Sequence, residues 1–436
     1  MGKQITIHDT VHGTIILDPC ASRLIGTPEI RRLAGIRQLG LSSIVFPGAN
    51  HTRLEHAIGT YHIARLMTNA LKLEEKERDM VSYAALLHDL GHGPYSHTLE
   101  RVLHRHADMD HMDLTKEVIR GNARMVSETD CHIIPGQPTI PQILKEYDMD
   151  PEMVADLVCG KADSTNGRLF EDQGGQKFFN DKAYLYQLIH GSIDCDQIDY
   201  LLRDSHYTGV AHGSIDLARL LHTLTIHNND LVVQEKGLSA VEGMLVARSL
   251  MYSSVYFHKT GRIAELMLVK AVENALDKEN AMTVQKMDDA ELMGWLYDLG
   301  GLQRDMVQRL KYRVLYKTAF GKRIVDLTED EQARLMEITQ ENQWPDIEKA
   351  IIQRLGMKEG SLVIDLPEPD LLLSEPRIAR ADIKVLADGK VQNLSKLTPF
   401  SKAIQQKKIS RWAFIVACDK KHRDEVGKTA EKIIFQ

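Results

Sequence analysis

Apolar residues recur with helical spacing over much of the chain. In the first clear example, Leu54, Ile58 and Tyr61 fall on one stripe of the segment that contains them. Apolar residues three or four positions apart cover one face of a helix, so this spacing predicts amphipathic helices. The same kind of pattern is found in residues 52–73, 74–90, 182–209 and 241–276. The central part of the chain is therefore predicted to be a helical body.

Two parts of the chain depart from helical spacing. Residues 5–19 alternate in polarity and are rich in β-branched side chains, which predicts a short hairpin. After about residue 325, short apolar runs separated by proline and glycine alternate with helical segments. We therefore predict a mostly α fold, with a helical domain over residues 1–325 that begins with the hairpin and a smaller C-terminal α+β lobe over residues 326–436.

The composition indicates the cellular compartment more clearly than it indicates the class of binding partner. Of 436 residues, 43% are hydrophobic and 26% are charged, and the net charge of −7 does not favour nucleic acid as a partner. Residues 376–436 reverse the balance, with 14 Lys or Arg against 6 Asp or Glu, which keeps nucleic-acid binding open as a minor alternative. Five scattered cysteines without a CxxC pair indicate a reducing compartment. With no signal-like or membrane-spanning segment, the sequence predicts a cytoplasmic protein without membrane contact.

Histidines and carboxylates gather at three points of the predicted helical body. His88 and Asp89 follow the apolar run AALL, where two ionisable groups are costly to bury without a strong partner. His56 lies on the preceding predicted helix, and Asp196 lies in a run of three aspartates within residues 194–199. A single helical histidine is more often a packed core residue, but the doublet favours a metal ion as the partner. Two imidazoles and two carboxylates suit Fe, Mn, Zn, Ni or Mg, so we predict one divalent ion at these four side chains.

The motifs together resemble a known enzyme family. HTRLEH, LLHDLGHGPYSH and IDCDQIDYLLRD are similar to motifs of the HD-domain phosphohydrolases, and specifically of their deoxynucleoside triphosphate triphosphohydrolase branch. The resemblance extends from about residue 5 to about residue 320 and includes FPGANHTRLEH and YRVLYK. It implies a helical HD-domain core that binds metal through the four side chains above. It also implies hydrolysis of dNTPs to deoxynucleoside and inorganic triphosphate, with a second Mg²⁺ as an option alongside the nucleotide.

The resemblance assigns catalytic roles to a second cluster of side chains. It places His97 at the 5′-oxygen of the substrate, where an imidazolium could protonate the leaving group. His92 and His111, with Glu100 as an orienting carboxylate, would contact phosphate or relay protons. These roles are implied by the resemblance, since one turn of polar helix would present a similar pattern.

A substrate-binding set follows from the same resemblance. It comprises Arg53, Arg248 and Tyr200 for the phosphates, Gln38 and Asp204 for the 3′-hydroxyl, and Leu39 and Tyr256 for closing off the 2′ position. One departure from the family pattern is Gln197, which replaces the lysine that animal members place on the terminal phosphate. A neutral amide binds a triphosphate less well than a lysine does, so the preference for triphosphates stays open.

The resemblance also implies regulation, because basic residues of this chain match positions that lie at subunit contacts in the family. The deoxynucleotide effector site would consist of Arg219, Lys236, His258, Lys259 and Arg313. The resemblance therefore implies an allosteric homo-oligomer, a tetramer in preference to a dimer, with a deoxynucleotide as substrate and as a candidate effector.

Two other functions remain as alternatives. The first is an HD-type phosphohydrolase of another phosphoester, such as a nucleoside monophosphate or another phosphorylated metabolite, which Gln197 favours. The second is a nucleotide-binding or nucleic-acid-binding regulatory protein with little turnover, which the basic C-terminal segment favours and the intact metal-ligand pattern disfavours.

Overall fold

Helices make up most of the residues that the structure describes, and the four predicted apolar patterns account for only part of them. The computed structural model describes residues 3–107, 109–127, 130, 133, 136–159, 182–366, 383–406 and 412–435. Cys131 and parts of the basic C-terminal segment lie outside the described residues. Cys20, Cys159, Cys195 and Cys418 are free thiols.

The helices follow one another along the whole described chain. In order they are α1 (Pro19–Leu24), α2 (Pro28–Arg32), α3 (Arg53–Ala70), α4 (Glu75–Leu87), α5 (Ser96–Ala107), α6 (His111–Arg120), α7 (Ile140–Glu146), α8 (Pro151–Cys159), α9 (Ala183–His190), α10 (Cys195–Thr208), α11 (Leu217–Thr223), α12 (Leu238–Met251), α13 (Lys259–Glu273), α14 (Ala281–Lys286), α15 (Asp289–Leu299), α16 (Gly301–Lys311), α17 (Glu329–Gln340), α18 (Trp344–Leu355), α19 (Leu394–Leu397), α20 (Pro399–Gln406) and α21 (Arg423–Phe435). The predicted fold class, mostly α with a C-terminal α+β region, is confirmed.

The strands form three small sheets. They are β1 (Ile5–Asp9), β2 (Gly13–Leu17), β3 (Leu224–His227), β4 (Asp230–Gln234), β5 (Lys317–Lys322), β6 (Leu362–Asp365), β7 (Lys384–Ala387), β8 (Lys390–Asn393) and β9 (Phe414–Cys418). The predicted hairpin is confirmed as antiparallel β1 and β2, and the other sheets have the orders β3-β4-β7-β8 and β5-β9-β6. The β3–β4 hairpin was not predicted from the sequence, and the C-terminal β7 adds to it in parallel at Val233↔Val385.

The strand pairing crosses the predicted domain boundary near residue 325. Strand β5 precedes the boundary and pairs antiparallel with β9, close to the C-terminus. Strand β7 follows the boundary and extends a sheet that begins in the helical body. The division into residues 1–325 and 326–436 stays a prediction.

Two long predicted helical patterns are interrupted in the structure. The pattern over residues 182–209 breaks after His190, and α10 starts afresh with the extended Asp194 as its N-cap, whose side chain accepts from the Gln197 amide at 2.7 Å. An N-cap carboxylate satisfies a free amide at a helix start, which stabilises the interruption. The pattern over residues 241–276 changes to a π-helical turn at Tyr252–Tyr256 before α13 begins.

The helices that supply the candidate ligands pack together in one core. Helices α3 and α4 make extensive contact, and α10 lies against α3. The contact faces are buried and apolar, as illustrated by Ile63, Met67, Leu86 and Ile198. In the part of the chain that the structure describes, no helix combines the length and apolarity needed to cross a membrane.

Candidate metal centre and substrate cavity

Three of the four predicted metal ligands converge at the junction of α3, α4 and α10. His56 lies one turn into α3, His88 caps the C-terminal end of α4, and Asp196 lies in the first turn of α10. Asp196 Oδ1 is 3.0 Å from His56 Nε2 and 3.8 Å from His88 Nε2. One ligand atom from each residue lies within 4.8 Å of the other two. This donor set, two nitrogens and one carboxylate oxygen, suits a divalent transition metal ion.

The second nitrogen of each imidazole is already engaged, which fixes the ring. His88 Nδ1 lies 2.7 Å from the carbonyl oxygen of Ala85, which can only accept, so Nδ1 carries the hydrogen. His56 Nδ1 donates to Asp199 Oδ2 at 2.7 Å. Metal-binding histidines commonly donate their other N–H to a carboxylate or carbonyl group, which leaves Nε2 for the ion. The residues present therefore fit a divalent ion.

Asp89, the fourth predicted ligand, lies at the edge of this group. Its Oδ1 is 3.1 Å from His88 Nε2, and its Oδ2 is 4.0 Å from His56 Nε2 and 2.5 Å from Arg53 Nη1, which donates to it. Burial alone would raise the pKa of this carboxyl, but the neighbouring His88 imidazole and Arg53 guanidinium hold the pKa well below its usual range. Asp89 is therefore an anion next to the three converging ligands.

A buried carboxylate behind the ligands links several parts of the chain. Asp199 accepts from His56, from His12 Nε2 at 2.6 Å, and from Arg203 Nε and Nη2 at 2.9 and 3.0 Å. Burial would raise its pKa, but Arg203 and the two histidines hold the pKa well below the usual range. The side chain of Asp199 is fully buried, so these protein groups are what stabilise its charge.

Close helix packing makes this arrangement possible. A Cβ at Gly59 of α3 would lie 1.9 Å from Asp199 Oδ1 and 2.3 Å from Arg203 Nη2, so only glycine lets the ion pair lie against α3. The third nitrogen of the Arg203 guanidinium, Nη1, donates to Asp9 Oδ2 of β1 at 2.8 Å. The N-terminal hairpin is thus part of the surroundings of the metal centre.

The predicted catalytic cluster lies beside Asp89. His92 Nε2 is 3.3 Å from Asp89 Oδ1, and the His92 ring stacks on His111 with centroids 4.1 Å apart. Glu100 contacts His111 Nδ1 and lies 3.9 Å from His97 Nδ1. Burial would raise the pKa of Glu100, but the neighbouring imidazoles of His111 and His97 lower it. The side chain of His97 is 70% exposed, so it is the member most accessible to a ligand.

The loop between α4 and α5 is held by contacts from two directions. A Cβ at Gly91 would lie 2.0 Å from the carbonyl oxygen of His111, so the loop approaches α6 closely. From the other side, Arg32 donates to the carbonyl oxygens of Leu90 and His92. The close approach at Gly91 therefore brings His92 against α6, where its ring meets that of His111.

The two arginines predicted to bind phosphate, Arg53 and Arg248, are buried. Arg53 donates through Nε to Ser96 Oγ at 2.8 Å, and its Nη2 is 3.2 Å from His97 Nε2. Arg248 donates through Nη1 to Gln197 Oε1 at 2.8 Å. The side-chain nitrogen of Gln197, Nε2, in turn donates to Asp194 Oδ2 at 2.8 Å. Gln197, which is almost fully buried, therefore links Arg248 to the start of α10.

Two of the four predicted sugar-binding residues, Asp204 and Tyr256, contact each other. Asp204 accepts from Tyr256 Oη at 2.6 Å and lies 2.7 Å from His51 Nε2. Leu39 is half-buried and packs against the core. Among the residues that the structure describes, Gln38 Oε1 and Tyr200 Oη are buried without a hydrogen-bond partner.

A single cavity of about 890 Å³ contains the candidate metal centre. The predicted residues that line it are Gln38, Arg53, His56, His88, Asp89, His92, His97, His111, Asp196, Tyr200 and Arg248. Leu39, Asp204 and Tyr256 are not among its described lining residues, and Glu100 borders a smaller neighbouring pocket. Ile383 and Lys384, at the start of β7, also line the cavity, so the C-terminal region contributes to its wall.

The predicted effector residues form two groups within the chain. Arg219 and Lys236 form the first, and His258, Lys259 and Arg313 form the second. Arg219 donates to the carbonyl oxygen of Lys236 at 2.9 Å. His258 caps α13, and Lys259 Nζ lies 4.3 Å from the ring centre of Trp412. Arg313 donates to the carbonyl oxygen of Ile44 at 3.1 Å. Their effector role stays a prediction.

Several residues of the site were missed by the sequence analysis. His12, Asp9 and His51 carried no local signal, because their partners on α10 lie far along the chain, 187 residues away for His12. Asp199 and Arg203 are four residues apart, and an acid and a base at this helical spacing indicate an ion pair. That spacing was visible in the sequence and could have identified this pair.

Comparison with known proteins gives two matches to family models that together span most of the chain. The HD domain matches residues 53–204, and the HD associated region matches residues 215–435. The first match begins at Arg53 and ends at Asp204, so it contains all four candidate ligands.

Individual relatives are similar over large parts of the chain. An uncharacterised protein of Methanocaldococcus jannaschii is 28% identical over 432 residues, 98% of this chain and 82% of the relative. Human deoxynucleoside triphosphate triphosphohydrolase SAMHD1 is 28% identical over 352 residues, 71% of this chain, and the match covers 54% of the human protein. The crystal structure of a hypothetical protein from Aquifex aeolicus superimposes with a TM-score of 0.72 at 27% identity, covering 98% of this chain and 100% of that one.

Proposed function

Because this chain belongs to the HD-domain phosphohydrolase family, we propose that it hydrolyses deoxynucleoside triphosphates to deoxynucleoside and inorganic triphosphate. The observation that carries the proposal is that one cavity brings together the metal ligands, the histidine cluster and two arginines. A cavity of about 890 Å³ accommodates a nucleotide-sized ligand. The likeness to a relative named deoxynucleoside triphosphate triphosphohydrolase supports this choice of substrate.

His56, His88 and Asp196 would hold the proposed metal ion, with Asp89 beside them. When bound, a divalent ion supplies Lewis-acid chemistry, which neutralises phosphate charge and makes water a better nucleophile. Its identity among Fe, Mn, Zn, Ni and Mg stays open, as does a second Mg²⁺ that accompanies the nucleotide.

His97 is the proposed proton donor. Its Nε2 faces Arg53 at 3.2 Å, and a phosphate group that attracts Arg53 would release this nitrogen. In the proposed reaction, the oxygen of water bonds to the α-phosphorus and the bond from phosphorus to the 5′-oxygen breaks. The 5′-oxygen takes a proton from His97, and the attacking water loses a proton to solvent, from which His97 is reprotonated. Glu100, close to both His97 and His111, is placed to orient them.

The remaining contacts with substrate and effector belong to the same proposal. Arg53, Arg248 and Tyr200 would bind the phosphates, and Gln38 would approach the sugar. A deoxynucleotide effector held by the basic set, together with a homotetrameric or dimeric assembly, is proposed from the sequence resemblance.

A second candidate is the hydrolysis of a phosphoester with less charge than a triphosphate. Gln197 favours it, because its amide is occupied by Asp194 and Arg248 and adds no positive charge to the cavity wall. A nucleoside monophosphate would need fewer cations than a triphosphate does.

Phosphorus NMR of the reaction products separates the two candidates. The metal-loaded protein is incubated with each dNTP, each NTP and the corresponding monophosphates, with and without a second dNTP as effector. Inorganic triphosphate formed from dNTPs supports the first candidate, whereas orthophosphate from monophosphates alone supports the second. If no substrate turns over with any of the metals, both enzymatic candidates fail and a regulatory nucleotide-binding role is favoured.

A further inference from the structure

The turn of the N-terminal hairpin lies along one face of α10. Three successive contacts join them, Asp9 to Arg203 at 2.8 Å, Thr10 to Tyr207 at 2.8 Å and His12 to Asp199 at 2.6 Å. Residues 199, 203 and 207 are four apart and therefore lie on one side of the helix. The metal ligand of α10, Asp196, and the cavity residue Tyr200 precede and follow Asp199 on the neighbouring face.

Asp199 transmits these contacts to the metal centre. Its Oδ1 accepts from His12 Nε2 and from Arg203 Nη2, and its Oδ2 accepts from His56 Nδ1 and from Arg203 Nε. The side chains of His12 and Asp199 are 4% and 0% exposed, so water does not replace either partner readily. The plane of the Asp199 carboxylate sets the direction of its bond to His56 Nδ1. This plane is fixed on the side of the imidazole that lies away from Nε2, the nitrogen available to an ion.

We propose that His12 is a positioning residue for the metal centre, acting through Asp199 on the orientation of the ligand His56. The hairpin thereby controls how tightly a divalent ion is held. This inference rests on the metal-binding part of the proposed function and is independent of the substrate. Partners of metal-binding histidines typically contribute about 10- to 100-fold to metal affinity.

Removing the N–H of His12 breaks one of the four bonds of a buried carboxylate. The carboxylate would then rotate toward the remaining donors on Arg203, and its bond to His56 would lose its direction. A buried acceptor that loses a donor is costly, so the local structure would shift to recover it. We therefore expect His56 to be oriented less well toward an ion and the affinity for that ion to fall.

Binding of Co²⁺ to the metal-free full-length protein tests the proposal, because its visible absorption reports ligand geometry. His12→Leu and His12→Gln have similar side-chain volumes, but only glutamine offers an N–H to Asp199. We expect His12→Leu to raise the Kd for Co²⁺ about 10-fold or more and to change the spectrum. We expect His12→Gln to restore the spectrum and most of the affinity.

Thr10→Ala is the matched control, since it removes a contact of the same turn to the same helix without touching Asp199. It should leave the Kd and the spectrum of bound Co²⁺ unchanged, and circular dichroism should show that all three variants are folded. A Kd for His12→Leu within twofold of that of the unsubstituted protein would overturn the proposal, as would equal weakening in His12→Leu and His12→Gln. No substrate is present, so an unexpected substrate specificity would affect the proposed function and leave this result intact.

Discussion

The two sides of His56 differ in how their buried polar groups are satisfied. Behind the ring, Asp199 has donors on both oxygens, and Arg203 is paired with two carboxylates. In front of it, on the cavity side, Gln38 Oε1 and Tyr200 Oη are buried and have no hydrogen-bond partner within the described structure. Behind His56, the polar groups named above have hydrogen-bond partners within the protein. On the cavity side, Gln38 Oε1 and Tyr200 Oη have none among the described residues.

The difference indicates which groups are organised before a ligand arrives. Buried polar atoms are nearly always paired in folded proteins, so unpaired ones require an explanation. On the rear side, fixed partners hold the metal ligands in place. On the cavity side, Gln38 and Tyr200 line the space proposed for substrate, whose polar groups would supply the missing partners. Substitutions on the two sides should therefore have different consequences.

The largest effect is expected when the metal ligands themselves are removed. Replacing His88 and Asp89 together with alanine takes away two of the four candidate ligands, so bound metal and turnover should both fall to background. Metal content measured by mass spectrometry and the phosphorus NMR assay check this. A double variant with full activity would disprove the site.

The next largest effect is expected on the cavity side. His97→Ala should lower kcat by about 100- to 10,000-fold, as expected for loss of a general acid, while metal content and stability stay unchanged. His104, which is exposed on the same helix α5, provides the control variant His104→Ala with normal kcat. A metal content that falls along with kcat would instead place His97 among the groups that hold the ion.

A large loss of stability is expected behind the ligands. Arg203→Ala leaves the buried carboxylates of Asp199 and Asp9 without their cation, which should cost about 3–5 kcal/mol in the free energy of unfolding. Urea denaturation of the metal-free protein measures this cost. Arg105→Ala removes the exposed pair with Glu273 and should cost less than about 1 kcal/mol. Similar losses in the two variants would contradict the view that the rear side is preorganised.

The smallest effect distinguishes the two sides most sharply. Tyr200→Phe removes an unpaired hydroxyl, so the free protein should be no less stable, whereas KM should rise about 2- to 10-fold if substrate provides the partner. Tyr207→Phe on the same helix is the control, because its hydroxyl donates to Glu55 Oε1 at 2.7 Å. That variant should lose about 1 kcal/mol of stability with KM unchanged. The opposite result in the pair would show that Tyr200 Oη has a partner inside the protein.

Much of the candidate site was accessible from the sequence because its signals are local. His88 and Asp89 are adjacent and end an apolar helix, and the motif around them carried the family resemblance that the HD domain match confirms. Helix α3 and the N-terminal hairpin were likewise predicted from their spacing. In each case, neighbouring residues contained the information.

Other features depend on residues that are distant along the chain. The break between α9 and α10 was missed because Gly191 and Asp194 interrupt a pattern whose apolar spacing continues across them. The parallel pairing of β4 with β7 joins segments about 150 residues apart, and nothing in either segment specifies that register. Apolar spacing shows which face of an element is buried, but not which other element buries it.

The sequence by itself determined the helical body, the family and the side chains able to bind a metal ion, because composition, spacing and short motifs are properties of neighbouring residues. Only the tertiary structure decided that Asp9 and His12 of the hairpin meet α10, that Gly59 makes room for the Asp199–Arg203 pair, and that β7 lines the cavity. The physical reason is that a buried charge must be stabilised by whichever partners folding brings to it, and those partners can come from any part of the chain.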